Sequence, residues 1–192
     1  MSPMKKILAI LIIGLVIAGT LYFAEGRSEK EAVTESAGSG VTPEMIAEIA
    51  RYEYTEEYVD PAKRFSFNYP AQFNVSTTPS ETGEAILVRN LDTNIGVQIL
   101  ITPFGEDTDI TADMIRRDIP NMQIESVQEV EIGSARKGVA FLSDNPNFGL
   151  PAQAGGSSRD VWFVYKKELY QITTYAEQDE FLKGLFGTWK FF

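Results

Sequence analysis

The sequence predicts an α+β protein in which an antiparallel or mixed β-sheet is flanked by helices and preceded by one N-terminal transmembrane helix. Two patterns predict this class. The chain begins with an uncharged apolar run, and from Phe65 onward apolar and polar residues alternate in short runs separated by a few helical segments. A doubly wound parallel sheet would instead place a helix after each strand. Residues 43–192 are enough to bury one core without a disulfide.

The apolar run, residues 7–24, is the predicted transmembrane helix of an N-terminal segment that covers residues 1–24. It contains eighteen residues and no charge, and as a helix it would be about 27 Å long, close to the thickness of bilayer hydrocarbon. Lys5 and Lys6 precede it and Glu25 follows it. The positive-inside rule therefore predicts a single-pass protein of the cell membrane, with a cytoplasmic N-terminus and an extracytoplasmic C-terminal domain. A cleaved signal peptide is the alternative, and it would export the same domain.

Residues 25–42 are predicted to form a flexible linker, because Glu, Ser, Gly and Ala predominate and little apolar surface is available to bury. Thr42, Pro43 and Glu44 then supply a capping hydroxyl, a proline for a first turn and an acid near the positive end of a helix dipole. These residues predict a short helix over 43–52. It opens the extracytoplasmic domain, 43–192.

Strands within the domain are predicted from period-two alternation. They cover residues 65–69, 73–77, 85–90, 95–102, 124–132, 137–143, 159–166 and 168–175. The run 159–166 is apolar on both faces, so a central position in the sheet is expected. Residues 91–94 and 166–167 have the composition of hairpin turns.

Two further helices are predicted, over 111–119 and 178–186. Thr111 or Asp109 would cap the first, and Pro120 would stop it. Gly187 is expected to adopt the left-handed conformation that often follows a helix. The apolar residues 188–192 are expected to be buried.

Composition excludes several function classes. The chain has neither cysteine nor histidine, which rules out thiol chemistry, a Ser-His-Asp enzyme and a zinc hydrolase. Its net charge is −10. An acidic surface repels phosphate polymers, so no nucleic-acid partner is expected.

Two short motifs match parts of the penicillin-recognising signatures. Residues 134–137 fit S-x-x-K and residues 143–145 fit S-D-N. That chemistry needs the serine at a helix N-terminus and a K-T-G strand opposite it, whereas residues 134–137 lie in a turn before a predicted strand and K-T-G is absent. We interpret both matches as chance. Asn74 begins a glycosylation sequon inside a predicted strand, and we interpret it as structural.

Acidic residues before the helix 111–119 are a second candidate site. Glu106, Asp107, Asp109 and Asp113 could offer oxygens to Ca²⁺, but the glycine and the distal bidentate glutamate of a calcium loop are missing. Carboxylates near a helix N-terminus are already explained by the helix dipole. Weak calcium binding at Asp107 and Asp109 stays open. No residue is assigned as catalytic, cofactor-binding or metal-binding, and no cofactor is expected.

The start and end of the domain resemble a known family. The residues Phe-Ser-Phe-Asn-Tyr-Pro at 65–70 resemble the F-x-F-x-Y-P opening of the PsbP-like fold superfamily. The segments Val-Trp-Phe-Val-Tyr at 161–165, Leu-Tyr-Gln-Ile-Thr at 169–173, Phe-Leu at 181–182 and Thr-Trp-Lys-Phe at 188–191 are similar to small membrane-anchored bacterial members of that group. The resemblance covers about residues 52–192. It implies an α/β/α sandwich in which the last strand, helix and Thr-Trp-Lys-Phe segment close the sheet.

The resemblance and the composition together give the expected function. PsbP-like proteins chiefly scaffold or bind other proteins and share no catalytic motif, so we expect a non-enzymatic, membrane-anchored domain of the cell envelope with a protein partner. The alternative is an extracytoplasmic domain that binds a small molecule or glycan in a pocket lined by aromatic residues. An enzyme that uses only carboxylates is a third reading, and it would need two acids flanking a cleft. The irregular segment 144–158 is the first place to look for a binding surface.

Overall fold

A computed structural model describes residues 43–80, 83–93, 95–133, 136–143 and 157–192. The predicted transmembrane helix 7–24, the linker 25–42 and most of the segment 144–158 lie outside these residues. Within the described ranges, no helix is long and apolar enough to cross a membrane.

The described residues form helices and strands in the predicted order, with two additional short strands. The helices are α1 (Pro43–Ile49), α2 (Ala112–Asp118) and α3 (Asp179–Thr188), and a 3₁₀ turn (Ala176–Gln178) leads into α3. The strands are β1 (Glu56–Val59), β2 (Phe65–Tyr69), β3 (Asn74–Ser80), β4 (Gly83–Arg89), β5 (Gly96–Pro103), β6 (Ile124–Ile132), β7 (Arg136–Ser143), β8 (Ser158–Tyr165), β9 (Glu168–Tyr175) and β10 (Lys190–Phe191). The sequence reading missed β1 and β10, which are only four and two residues long.

The strands form two sheets, where the sequence led us to expect one. The large sheet has seven strands in the order β3-β4-β5-β9-β8-β7-β6, and the small sheet has three in the order β1-β2-β10. Every strand pair in both sheets is antiparallel. The predicted class, antiparallel sheet with a few helices, is confirmed. The Phe-Ser-Phe-Asn-Tyr strand, however, belongs to the small sheet.

The large sheet separates two cores. The larger core lies between this sheet and the layer formed by α1, α3 and the small sheet, and the smaller core lies under α2 on the opposite face. Strand β8 contributes to both, because Val161 and Phe163 point into the larger core and Trp162 and Val164 into the smaller one. This confirms that β8 is covered on both faces. Its neighbour β9 occupies the middle position of the sheet.

Helix α2 begins as predicted. Thr111 is its N-cap, and the Thr111 hydroxyl accepts a hydrogen bond from the Met114 amide at 3.3 Å. Asp113 lies in the first turn and Arg116 and Arg117 in the last, which complements the helix dipole at both ends.

The end of α3 differs from the prediction for Gly187. Gly187 lies inside the helix, which continues to Thr188. The Thr188 hydroxyl donates to the Leu185 carbonyl at 2.9 Å and accepts from the Asn68 amide of β2 at 2.8 Å. These bonds hold the last turn, and the chain leaves it in an extended conformation at Trp189. No left-handed residue is therefore needed.

The C-terminal residues are only partly buried. Trp189 is 4% exposed, whereas Phe192 is 54% exposed. The Trp189 ring stacks on Phe65 of β2 with centroids 4.6 Å apart and meets Phe163 of β8 edge-on at 6.2 Å. Trp189 thus joins the small sheet to the large one.

Candidate functional site

The two penicillin-type motifs do not form a catalytic site in the described residues. Ser134 lies outside them, and Arg136 and Lys137 begin strand β7, not the first turn of a helix. Ser143 ends the same strand, and Asp144 and Asn145 lie outside the described residues. A lysine one helical turn after its serine is the arrangement that the chemistry needs, and a strand does not provide it.

Ser143 does belong to a buried polar cluster, which we call the Asp160 cluster: Ser143, Ser158, Asp160 and Thr173. The Asp160 carboxylate accepts from Ser143 at 2.7 Å and from Ser158 at 3.0 Å on one oxygen, and from Thr173 at 2.7 Å on the other. The two serine hydroxyl oxygens are 2.7 Å apart. All four side chains are buried, and Asp160 is 1% exposed.

Strand register brings these four residues together. Ser143 of β7 is the partner of Ser158 of β8, and Asp160 of β8 is the partner of Thr173 of β9. Because side chains alternate along a strand, Ser158 and Asp160 share a face with Trp162. The cluster therefore lies in the sheet face that carries the smaller core, at the strand ends from which the segment between Ser143 and Ser158 departs.

Burial dominates the electrostatics of Asp160. Removal from water raises the pKa of its carboxyl group, and the hydrogen bonds from Thr173, Ser143 and Ser158 lower it by less, so the net pKa lies above the ordinary value. A carboxylate with this burial and with three hydroxyl groups directed at it has no open side for a substrate. We assign the cluster a structural role, holding the ends of β7 and β8 in register.

Replacing Asp160 with asparagine should change how stability depends on pH. Because the folded-state pKa of Asp160 is raised, its charge opposes folding once the pH exceeds the carboxyl pKa of the unfolded chain, about 3.9. Asparagine carries no such charge. The stability of Asp160→Asn relative to the wild type should therefore be lowest at acid pH and should improve as the pH rises through the folded-state pKa. Urea unfolding at a series of pH values measures this difference.

A matched variant tests the cause of that pH dependence. Thr173→Val removes a hydrogen bond that favours the charged form of Asp160 and so raises its folded-state pKa further. In the Thr173→Val background, the stability difference made by Asp160→Asn should therefore keep growing to higher pH than it does in the wild-type background. Parallel stability curves for the wild type and Asp160→Asn would contradict the assignment.

A second polar cluster, the Arg64 cluster, joins the small sheet to the large one. Arg64 follows the β1–β2 turn and makes two side-chain hydrogen bonds to Asp60, at 2.6 and 2.9 Å. It also forms ion pairs with Glu84 of β4 and with Glu168 of β9, the latter at 3.2 Å. The Tyr170 hydroxyl donates to Glu168 at 3.3 Å. Three carboxylates from three parts of the fold thus surround one guanidinium.

The guanidinium determines the charge states in this cluster. Burial acts to raise the pKa of Asp60, but the side-chain and backbone hydrogen bonds from Arg64 outweigh it, and the pKa of Asp60 lies below its ordinary value. The bond to Asp60 raises the pKa of Arg64 above its ordinary value. Burial, followed by the charge of Glu168, raises the pKa of Tyr170. Asp60 and Arg64 are therefore both charged at neutral pH.

Two of the acidic residues considered as calcium ligands form ion pairs with arginine. Asp107 pairs with Arg136, and Asp113 pairs with Arg116 on the surface of α2 at 3.4 Å. Among the residues that the structure describes, no group of three or more Asp, Glu, His or Cys side chains is placed to hold a metal ion. The residues 91–93 form a turn, in which the Asn90 side chain accepts from the Asp92 amide at 2.9 Å.

Two outer strands of the described sheets lie on one flank of the domain. β3 is one end of the large sheet and β1 is one end of the small sheet. They are neighbours, because the hydroxyl oxygens of Tyr58 in β1 and Thr77 in β3 are 3.4 Å apart. Asn74, the sequon residue, is exposed at the start of β3. The side chains of β1 and β3 therefore meet at this flank.

Sequence reasoning missed both polar clusters. For Asp160 a signal was present, because it shares its strand face with Trp162 and Val164, both of which were predicted to be covered. The Arg64 cluster has no such signal, because Glu84 and Glu168 come from strands distant in sequence.

Comparison with known proteins assigns no family. No family model matches the chain, and no curated protein matches it. Among solved structures, it is similar to the cyanobacterial PsbP protein (CyanoP) of Synechocystis sp. PCC 6803, with a TM-score of 0.44 and 10% identity over 71% of this chain and 92% of that one. It is also similar to a protein of Bacteroides thetaiotaomicron VPI-5482, with a TM-score of 0.45 and 15% identity over 73% of this chain and 49%, about half, of that one. Both scores are below 0.5, so membership of the PsbP-like group stays a prediction.

Proposed function

We propose that residues 43–192 are a non-enzymatic interaction or scaffolding domain of the bacterial cell envelope, PsbP-like in fold and held at the outer side of the cell membrane by the helix 7–24. The observation that carries the proposal is the difference between polar side chains inside the domain and those on one of its flanks. The polar side chains around Asp160 and Arg64 make internal contacts, whereas β1 and β3, outer strands of the two sheets within the described residues, carry exposed side chains. Exposed strand edges are surfaces on which proteins recognise extended partners.

Packing of the aromatic residues weighs against the small-molecule alternative. A small-molecule site would need aromatic side chains around an open pocket. Phe65, Phe67, Phe163, Tyr170 and Phe181 are instead buried in the larger core. Phe163 stacks on Tyr170 at 4.7 Å and Phe65 on Phe67 at 6.2 Å. Rings engaged with one another are not free to line a ligand site, so protein interaction is the function that we retain.

The proposal is tested in intact cells with a photo-crosslinking amino acid at either of two positions: Ser76, exposed on β3, or Phe148, within the segment that joins β7 to β8. We expect a reproducible adduct with another envelope protein from at least one of them. The same probe at Gln128, on β6 at the end of the large sheet opposite β3, serves as the control and should give no adduct of that size. A chain that stays uncrosslinked at all three positions contradicts a scaffolding role.

The predicted orientation of the protein in the membrane is tested in a separate experiment. A reporter that is active only outside the cytoplasm, fused after Phe192, should be active, and a reporter restricted to the cytoplasm should be silent. The reverse result would overturn the predicted orientation.

A further inference from the structure

We propose that strand β3 accepts an extended, cationic segment of a partner protein as an additional strand, with the carboxylates of β1 attracting its basic side chains. This inference rests on the proposed interaction function and names the surface and the partner chemistry for it. It follows from the difference between the two ends of the large sheet, the position of β1 and the charges around β3.

The two ends of the large sheet differ in how they are protected. β6 carries exposed Glu125 and Glu129. Its pairing with β7 shifts register between Glu125 and Gln128, where Ser126 has a φ of 50°. Charges and bulges are the usual means of preventing a further strand from pairing with an edge. β3 has no charged residue, and it pairs with β4 without a register shift. Of the two ends, β3 is the one that can receive another strand.

The length available on β3 is set by Pro79. Proline has no amide proton, so an added strand loses a donor there. Among the preceding residues, 74–78, which pair with β4, alternate residues direct their N–H and C=O groups away from β4. Asn74, Ser76 and Thr77 are exposed. An incoming segment therefore has about five residues with which to pair, which is within the range of typical strands.

The charge of the partner is set by β1. Tyr58 of β1 reaches Thr77 of β3, and Glu56, two residues before Tyr58, points to the same face of its strand. Glu56 and Glu57 are both exposed. Glu57 points to the opposite face of β1, so a strand added to β3 would pass the Glu56 carboxylate on the side of the small sheet. Lysine or arginine in the added strand would be attracted to Glu56 and, at longer range, to Glu57, whereas acidic residues would be repelled.

A second copy of this chain does not fit the same surface. It would bring its own Glu56 and Glu57 towards those of the first copy, in a protein whose net charge is −10. A pairing of about five residues is also short for a stable dimer, which generally buries about 1,200 Å² or more. A cationic segment of a different protein would pair with the edge of β3 and would be attracted by the carboxylates of β1.

The test uses the full 192-residue chain in a mild detergent and two synthetic peptides. In one peptide lysine alternates with threonine, and in the other glutamate replaces each lysine. Binding is followed by fluorescence anisotropy, and its position by hydrogen exchange of the backbone amides. We expect the lysine peptide to bind at least roughly tenfold more tightly than the glutamate peptide at low salt and to lose affinity as salt is added. Amide protection should increase on β3.

Matched charge reversals separate a local site from net charge. The double variant Glu56→Lys, Glu57→Lys should lose the preference for the lysine peptide. The double variant Glu125→Lys, Glu129→Lys changes the net charge equally on β6 and should bind within about twofold of the wild type, because it leaves β1 and β3 unaltered. Equal losses in both variants, or protection on β6 and not on β3, would overturn the inference. A reproducible adduct from Phe148 in cells would leave the interaction function standing even then.

Discussion

Replacing Arg64 with methionine is expected to lower the free energy of unfolding by about 3 kcal/mol at neutral pH, because it leaves a buried carboxylate without its cation. Asp60 is fully buried, with 0% exposure. Its side chain depends on Arg64 for two of its hydrogen bonds and for its charge balance. Glu84 and Glu168 would lose the same partner. Chemical denaturation of the purified variant and wild type measures the change.

The pH dependence of this cost has a definite sign. The folded-state pKa of Asp60 is lowered, so its stabilising contribution is present above the unfolded-chain value of about 3.9 and is lost as the pH falls through the folded-state pKa. The difference between Arg64→Met and the wild type should therefore shrink at acid pH. Lys63→Met, at the adjacent exposed position, is the control and should stay within about 0.5 kcal/mol of the wild type. Equal effects of the two variants would show that the Arg64 cluster contributes little.

Replacing Trp189 with alanine is expected to lower the free energy of unfolding by about 4 kcal/mol, the middle of the range for removing a buried aromatic side chain. The Trp189 ring contacts Phe65 at 4.6 Å and Phe67 at 5.3 Å in the small sheet. It also meets Phe163 of the large sheet at 6.2 Å. Its removal would leave a cavity where the two sheets meet. Thermal and urea unfolding of Trp189→Ala provide the measurement.

Two further variants test whether Trp189→Ala loses stability because the contact between the two sheets is removed. The indole nitrogen of Trp189 has no hydrogen-bond partner among the described residues, so Trp189→Phe should lose packing volume alone and cost about half as much as alanine. Phe192→Ala, which removes an exposed ring three residues later, should change stability by less than about 0.5 kcal/mol. If Phe192→Ala were as damaging as Trp189→Ala, the contact between the sheets would not be the cause.

The strands of this protein were largely predictable because their evidence is local. The alternation in 65–69 and the doubly apolar run in 159–166 each indicate a strand without reference to the rest of the chain. The sheet to which a strand belongs is not local information. β2 pairs with β10, and the two residues of β10 carry no alternation that could be recognised in advance. The division into two sheets therefore appears only in three dimensions.

The end of α3 also depends on residues distant in sequence, and the local sequence therefore did not predict it correctly. Glycine after an apolar stripe is a sound general signal for a helix end. At Gly187 a tertiary contact overrides it, because Thr188 is bonded both to Leu185 and to the amide of Asn68 on β2. The hydroxyl partners of Asp160 were likewise not predictable, since three different strands contribute them. Interactions between residues distant in sequence decided each of these features.

The position of β10 near the end of the domain sequence affects how the domain can fold during its synthesis. Phe191 pairs with Phe65, and Lys190 with Ser66. A chain that emerges from its N-terminal side must therefore carry the aromatic strand β2 without its second neighbour until nearly the whole domain has been synthesised. Pairings between such distant residues form slowly, and apolar strands exposed in the meantime are prone to aggregate. The protein is therefore prone to aggregate during its biogenesis until Trp189 packs against Phe65 and Phe67.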